Sequence, residues 1–192
     1  MSNIELINEA KKLQQEAKRI LQELGLMEIL RGISEPKIVG SVASGLMIVK
    51  DIDVHAYVKE YDLPKILNLM PRLALLPTIQ KVQFSNFREL RRDYKKDKAH
   101  LPHAYYIGLR SVQSSGEWKV DIWFAKKDDI QEYQGLGQGL TDEQRQTILK
   151  LKKLWYVGGG YRDGAMGINF YNAVLKHQVK TAQEFRRYLK DK

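Results

Sequence analysis

The sequence predicts an α+β (mixed α/β) fold: a mixed β-sheet flanked by helices, followed by a small C-terminal helical lobe. Three observations lead there. Residues 51–58 alternate strictly, with Ile52, Val54, Ala56 and Val58 on one side and Asp51, Asp53, His55 and Tyr57 on the other, which is the period of a strand. Ala104 to Val112 and Trp118 to Ala125 are two β-leaning runs joined by Gln113-Ser114-Ser115-Gly116-Glu117, the pattern of a hairpin. From Thr141 onward the apolar residues recur only at helical spacing.

The elements follow in order. Ser2 with Glu5 reads as a capping box. Ile4, Ile7, Ala10, Ala17, Ile20, Leu21 and Leu24 then form one apolar stripe, and Gly25 is the natural stop. Lys37-Ile38-Val39 is short and β-leaning. Asp62 and Pro64 open a helix through Ile66, Leu67, Leu69, Met70 and Leu73 that ends near Pro77, and Ile79 to Phe84 is a further strand. Gln134 to Gly139, with glycine at every second position, reads as a linker; no βαβ unit surrounds it, so it is not a dinucleotide fingerprint. Thr141 with Gln144 and Thr181 with Glu184 are capping boxes, and a third C-terminal helix covers Ile168 to His177. Trp155, Tyr156, Phe170 and Tyr171 fall at spacings that suit helix packing. The domain division expected is an N-terminal helical segment at 1–35, a catalytic core at 36–133 and the helical lobe at 140–192.

Composition bounds the function. The 192 residues are 43% hydrophobic and 29% charged, enough apolar material for a real core. There is no cysteine, so any metal must sit on oxygen or imidazole. The first residues lack a basic region followed by an apolar stretch, and no run approaches the ~20 apolar residues that span a bilayer. A cytoplasmic protein without membrane partners is expected. The net charge of +9 favours anionic partners. Much of the excess lies in Arg88 to Lys98, where Glu89, Asp93 and Asp97 interrupt it in the manner of a solvated helix face, and in Arg186 to Lys192. Nucleic acid is therefore possible but not favoured as a partner.

The chemistry concentrates between Val39 and Val54. A short strand runs into Gly40-Ser41, then one or two helical turns, then a strand that opens Asp51-Ile52-Asp53. Gly40 lets the backbone turn sharply and approach a phosphate without a Cβ in the way. Ser41 offers a hydroxyl and an N–H at a helix N-terminus, where the dipole favours anions. Asp51 and Asp53, two apart on a strand, project their carboxylates to one side, close enough to share a divalent cation. Two such cations ~3.5–4 Å apart activate an attacking oxygen and stabilise a leaving pyrophosphate. A third acid from a neighbouring strand is needed, and Asp121 between Val120 and Ile122 has the right surroundings, in a strand that does not favour aspartate.

Gly40-Ser41, nine intervening residues, Asp51-Ile52-Asp53-Val54 and the later Val120-Asp121-Ile122 resemble the signature of the DNA polymerase β-type nucleotidyltransferase superfamily. The resemblance covers residues 37–125. It implies that Gly40 and Ser41 hold the nucleotide phosphates, that Asp51 and Asp53 bind Mg²⁺, and that Asp121 completes the metal site or serves as general base. It also implies an NTP donor, ATP by default. The small size suggests a member similar to the aminoglycoside and lincosamide nucleotidyltransferases, acting on a hydroxyl of a small-molecule acceptor. The alternatives are an RNA or protein acceptor, or a non-catalytic nucleotide-binding or antitoxin-like member of the same fold.

Other polar residues are secondary. His55 shares the face of Asp51 and Asp53 and reads as a packed neighbour of the pocket. Lys50 should point away from the acids, whereas Lys119 lies on the side of Asp121, in position for a phosphate or at a solvated strand end. His100 and His103 read as loop residues. Arg162 and Asp163, within the glycine-rich run from Gly158 to Gly164, form either an acceptor-side pocket or a plain helix connector.

Overall fold

A computed structural model describes residues 3–89, 101–133, 135–157 and 165–191. Two compact units are distinguished. One comprises Ala17–Val39 and Lys50–Gln134, and the other Met1–Glu16, Gly40–Val49 and Gly135–Lys192.

The first unit is built on a five-stranded mixed sheet in the order β1-β2-β5-β4-β3. Its strands are β1 (Glu35–Val39), β2 (Asp51–Tyr57), β3 (Ile79–Asn86), β4 (Tyr105–Gln113) and β5 (Gly116–Ala125). β2 and β5 are parallel, and every other pair is antiparallel. The alternation in β2 has the expected effect on one face, where Ile52, Val54 and Ala56 are fully buried beside Val120, Ile122 and Phe124 of β5. The other face grades from half-buried at Asp51 and Asp53 to buried at His55 and Tyr57. The strands β4 and β5 form the expected hairpin, with Gln113 opposite Gly116. Pro36 lies in β1, an edge strand, the part of a sheet to which proline is confined.

Two helical segments differ from expectation. The helix read across 62–77 is two short ones, α4 (Leu63–Leu67) and α5 (Leu69–Ala74), meeting at Asn68. Pro71 explains the break: it has no N–H for the carbonyl of Leu67, and its ring collides with that carbonyl. The first helix, α1 (Asn3–Glu23), stops at Gly25 as expected, with Gly25 in the left-handed conformation, but α2 (Leu26–Arg31) follows at once. Leu26 and Leu30 of α2 are fully buried, and the helix packs on β1, while α5 packs on β3. A 3-10 segment, Lys127–Tyr133, follows β5.

The second unit contains the N-terminal half of α1, α3 (Gly40–Ser44), α6 (Asp142–Val157), α7 (Gly167–His177) and α8 (Ala182–Lys190). Both expected capping boxes form, Thr141 with Gln144 and Thr181 with Glu184. The core joins Leu6 and Ala10 of α1 to Ile148, Leu151 and Trp155 of α6 and to Phe170 and Tyr171 of α7. Phe170 stacks on Phe185 of α8 at 4.6 Å between centroids. Ile4, assigned to the apolar stripe of α1, is 72% exposed, and Leu6 is buried in its stead. Ser2 lies outside the described residues. Among the described residues no helix is long and apolar enough to cross a membrane.

Candidate active site

Parallel pairing of β2 with β5 decides the geometry of the acids. Asp53 lies directly across from Asp121, and Asp51 across from Lys119. Side chains opposite one another leave the same face of the sheet, so the three acids converge. One carboxylate oxygen from each of Asp51, Asp53 and Asp121 lies within 4.8 Å of the others. Asp121 is the deepest, at 6% exposure, while Asp51 and Asp53 are half-buried. Three carboxylates so close repel one another strongly where water is scarce, and the arrangement needs a cation. The all-oxygen donor set fits a hard divalent ion such as Mg²⁺.

A cation of the chain itself already engages the cluster. Lys119 Nζ donates to Asp121 Oδ2 at 2.5 Å and lies 3.9 Å from Asp51 Oδ2. Burial pulls the ammonium pKa down, but the charges of Asp51 and Asp121 and the bond to Asp121 outweigh it, so the net shift is upward. Tyr106 of β4 holds the other side of Asp121, its hydroxyl donating to Oδ1 at 2.7 Å. Burial, the charge of Asp121 and this bond all push the phenol pKa up, so Tyr106 remains a donor.

Gly108 creates the space for that bond. It pairs with Asp121 across β4–β5, and Tyr106 folds over it. A Cβ at residue 108 would come 2.3 Å from the Tyr106 hydroxyl and 2.8 Å from the ring carbon bearing it, so only glycine fits. Sequence reading missed Tyr106 and Gly108, although the signal was present. Once the hairpin turn is fixed at Gln113 and Gly116, counting back along both strands sets Gly108 against Asp121.

His55 sits one pair further along, between Lys37 and Trp123 in register, with its ring edge-on to Tyr57. Burial and then the neighbouring Lys37 charge lower its pKa to about 4, so it is neutral at physiological pH. Trp123 continues into an aromatic cluster with Tyr106 and Phe87. Lys50 instead bonds the Ser115 carbonyl in the hairpin turn. At the far end of β2 from Asp51, a cavity of about 860 Å³ is lined by residues including Tyr57, Lys65 and Lys127, whose lysines pair with Asp62 and Glu35.

The Gly40-Ser41 element belongs to the other unit. Gly40 has φ 62°, the left-handed conformation in which a side chain would be strained. The α3 turn that follows is held from several directions. Gln14 Nε2 donates to the Val42 carbonyl at 2.6 Å, Arg145 Nη2 to the Ser44 carbonyl at 2.6 Å, and Ser44 Oγ meets Tyr171 Oη at 2.7 Å. Gly137 of the expected linker packs on it as well, since a Cβ there would lie 2.4 Å from that of Ser44. A further residue that sequence reading missed lies here. Lys152 of α6 is 1% exposed, and its Nζ donates to Ser41 Oγ at 2.7 Å and to the Leu46 carbonyl at 3.1 Å. Its side-chain nitrogen is 5.0 Å from the Tyr171 ring centroid, and among the described residues it makes no ion pair. Its position on the buried face of α6 was legible; its bond to Ser41 was not.

Of the remaining candidates, His103 Nε2 donates to the Arg88 carbonyl, 2.9 Å away, as a loop residue. Arg162, Asp163 and the run from Gly158 to Gly164 lie outside the described residues, as do His100 and the basic segment from residue 90 to Lys98.

No protein-family model matches the chain, and no curated protein matches it significantly. Solved structures do. A chain of a GLD-2/RNP-8 complex aligns with TM-score 0.57 and 13% identity over 90% of this chain and 64% of that one. A cytoplasmic RNA terminal U-transferase aligns with TM-score 0.56 and 18% identity over 92% of this chain and 52% of that one. The Cid1 poly(U) polymerase bound to Mg and 3'-dATP gives TM-score 0.55 and 16% identity over 91% of this chain and 55% of that one. This chain thus spans between half and two thirds of the length of the structures it resembles. At such identities the likeness is one of fold, and the mixed sheet with flanking helices is the nucleotidyltransferase fold.

Proposed function

We propose that this protein transfers a nucleoside monophosphate from an NTP to an acceptor hydroxyl, releasing pyrophosphate. The observation that carries the reading is the convergence of Asp51, Asp53 and Asp121 on one face of the β2–β5 pair. Mg²⁺ held by these carboxylates would supply charge neutralisation at the phosphates and an activated attacking oxygen. The acceptor oxygen forms a bond to the α-phosphorus while the bond to pyrophosphate breaks, and catalysis is chiefly positioning and electrostatics. Tyr106 keeps Asp121 turned into the cluster through Oδ1. Gly40 and Ser41 take the nucleotide phosphates, and Lys152 joins them because its donor already sits on Ser41 Oγ.

RNA is the favoured acceptor class. The similar structures include an RNA terminal U-transferase and a poly(U) polymerase, and a net charge of +9 suits a polyanion. No similar structure quoted above is an aminoglycoside- or lincosamide-modifying enzyme. A small-molecule hydroxyl is the second reading.

The test is incubation with each α-labelled NTP and Mg²⁺, in parallel with RNA oligonucleotides and with a metabolite and antibiotic pool. Label added to RNA 3' ends supports the favoured reading, and label in a small molecule selects the second. No label in either, or transfer that persists in Asp51→Asn and Asp53→Asn, overturns nucleotidyl transfer at this site.

A further inference from the structure

The acid cluster is already partly neutralised by the chain, and that has a consequence for how a metal enters. We propose that Lys119 is the resident counter-cation of the Asp51–Asp53–Asp121 cluster and competes with the divalent ion for it, so that metal loading requires the Lys119 ammonium to leave. The inference rests on the reading of the cluster as a metal site.

Register creates the competition. Lys119 precedes Asp121 by two residues on β5, so both side chains leave the same face, and it pairs with Asp51 across the parallel ladder. Its Nζ thus reaches two of the three acids, at 2.5 Å from Asp121 Oδ2 and 3.9 Å from Asp51 Oδ2. Tyr106 occupies Asp121 Oδ1, so Oδ2 is the oxygen that Lys119 and an ion would both use. A divalent ion ~2.0–2.6 Å from that oxygen would lie only about 4 Å from the ammonium, and like charges so close in a half-buried site repel strongly. Displacement is feasible because the Lys119 side chain is 31% exposed and rides on a flexible four-carbon stem.

Two properties follow. The three carboxylates remain gathered without a metal, because a cation is always present. A metal alone binds weakly, because it must evict a well-placed charge; an NTP, bringing phosphate oxygens, offers the evicted ammonium a new partner. Metal and nucleotide then bind cooperatively through Lys119.

Mn²⁺ titration of the whole chain followed by electron paramagnetic resonance, without nucleotide, is the test. Lys119→Gln keeps a hydrogen-bond donor and Lys119→Met keeps the bulk, so at least one folded variant without the charge is available. Both are expected to bind Mn²⁺ about tenfold more tightly than the wild type, a change of about 1.4 kcal/mol. Lys119→Arg should stay within about twofold of it, and Lys50→Gln, which removes a nearby charge not bonded to the acids, likewise. A non-hydrolysable NTP analogue should tighten Mn²⁺ in the wild type by a larger factor than in Lys119→Gln. An unchanged Kd in both neutral variants, with binding abolished by Asp53→Asn, overturns the competition and leaves the metal site standing. Equal tightening by Lys50→Gln also overturns it. Absence of Mn²⁺ binding in every variant, or binding indifferent to Asp53→Asn, overturns metal site and competition together.

Discussion

Lys152 is buried and Lys119 half-buried, and their surroundings differ in kind. Lys119, in the sheet unit, contacts two carboxylates. Lys152, in the helical unit, meets a hydroxyl, a carbonyl and an aromatic ring, with no carboxylate partner among the described residues. A buried lysine beside carboxylates is compensated, and its attraction for a further anion is reduced. A buried lysine among neutral acceptors is held in place with its charge unspent. The difference predicts opposite tasks, Lys119 serving the acids and Lys152 taking an anion.

The acid side of this contrast breaks most severely. Asp53→Asn and Asp121→Asn are expected to lower the rate of nucleotidyl transfer by about 10²–10³-fold or more, the scale of losing an electrostatic group aimed at developing charge. Asp53→Asn should not lower the melting temperature appreciably, because it removes one of three mutually repelling carboxylates, whereas Asp121→Asn also breaks the pair with Lys119 and should melt somewhat lower. Initial rates measured beside thermal melts decide it: full activity in either variant rejects the assignment, and collapse of the fold would make the acids structural.

His55 tests how a basic group on the same face behaves where burial outweighs charge. Burial dominates there, and the pKa falls to about 4. In the unfolded chain it returns to ~6.5, so on acidification the unfolded state takes up a proton that the folded state refuses. Stability from this residue is therefore complete above about pH 6.5 and lost as pH falls towards 4, by on the order of 3 kcal/mol in all. Urea melts across that window should steepen in pH dependence for the wild type and flatten for His55→Gln. Parallel curves for the two would mean that His55 titrates normally.

How much of this was visible beforehand depends on the range of the information involved. Alternation between Ile52 and Val58 fixed β2, and the acids at its start followed from local spacing. The hairpin between β4 and β5 was equally local. Which strands would neighbour one another was not local: that β2 lies against β5 sets Asp53 against Asp121, and it depends on a crossover of more than fifty residues. Lys119 was correctly put on the side of Asp121, but its contact with Asp51 required that register. Lys152 is the extreme case, since its partner Ser41 is 111 residues away. The broken helix at Asn68 was missed for another reason, an apolar pattern that continues through Pro71 while the backbone does not.

Gly108→Ala probes the brace behind the acids. The added methyl collides with the Tyr106 hydroxyl, and overpacking of this kind costs about 1–3 kcal/mol. Tyr106→Phe made in the Gly108→Ala background should then cost little more, because the bond to Asp121 is already lost. A double-mutant cycle by chemical denaturation reads the coupling; additive effects would mean that Tyr106 avoids the methyl without releasing Asp121.

Lys152→Met carries the smallest effect and returns to the contrast between the two lysines. Methionine retains much of the buried bulk while withdrawing the donor from Ser41 Oγ and the Leu46 carbonyl, so the structural loss should stay near 1–2 kcal/mol. Were the lysine only a strut, NTP binding would fall no further than folding does. If its donor instead awaits phosphate, the Kd for an NTP measured without metal should rise about tenfold in a fully folded variant, the worth of one charge-assisted hydrogen bond. Lys119→Met in the same assay should weaken metal-free NTP binding less, because its ammonium is already committed to Asp121 and Asp51. Equal losses at both positions would erase the distinction between a compensated lysine and an uncompensated one.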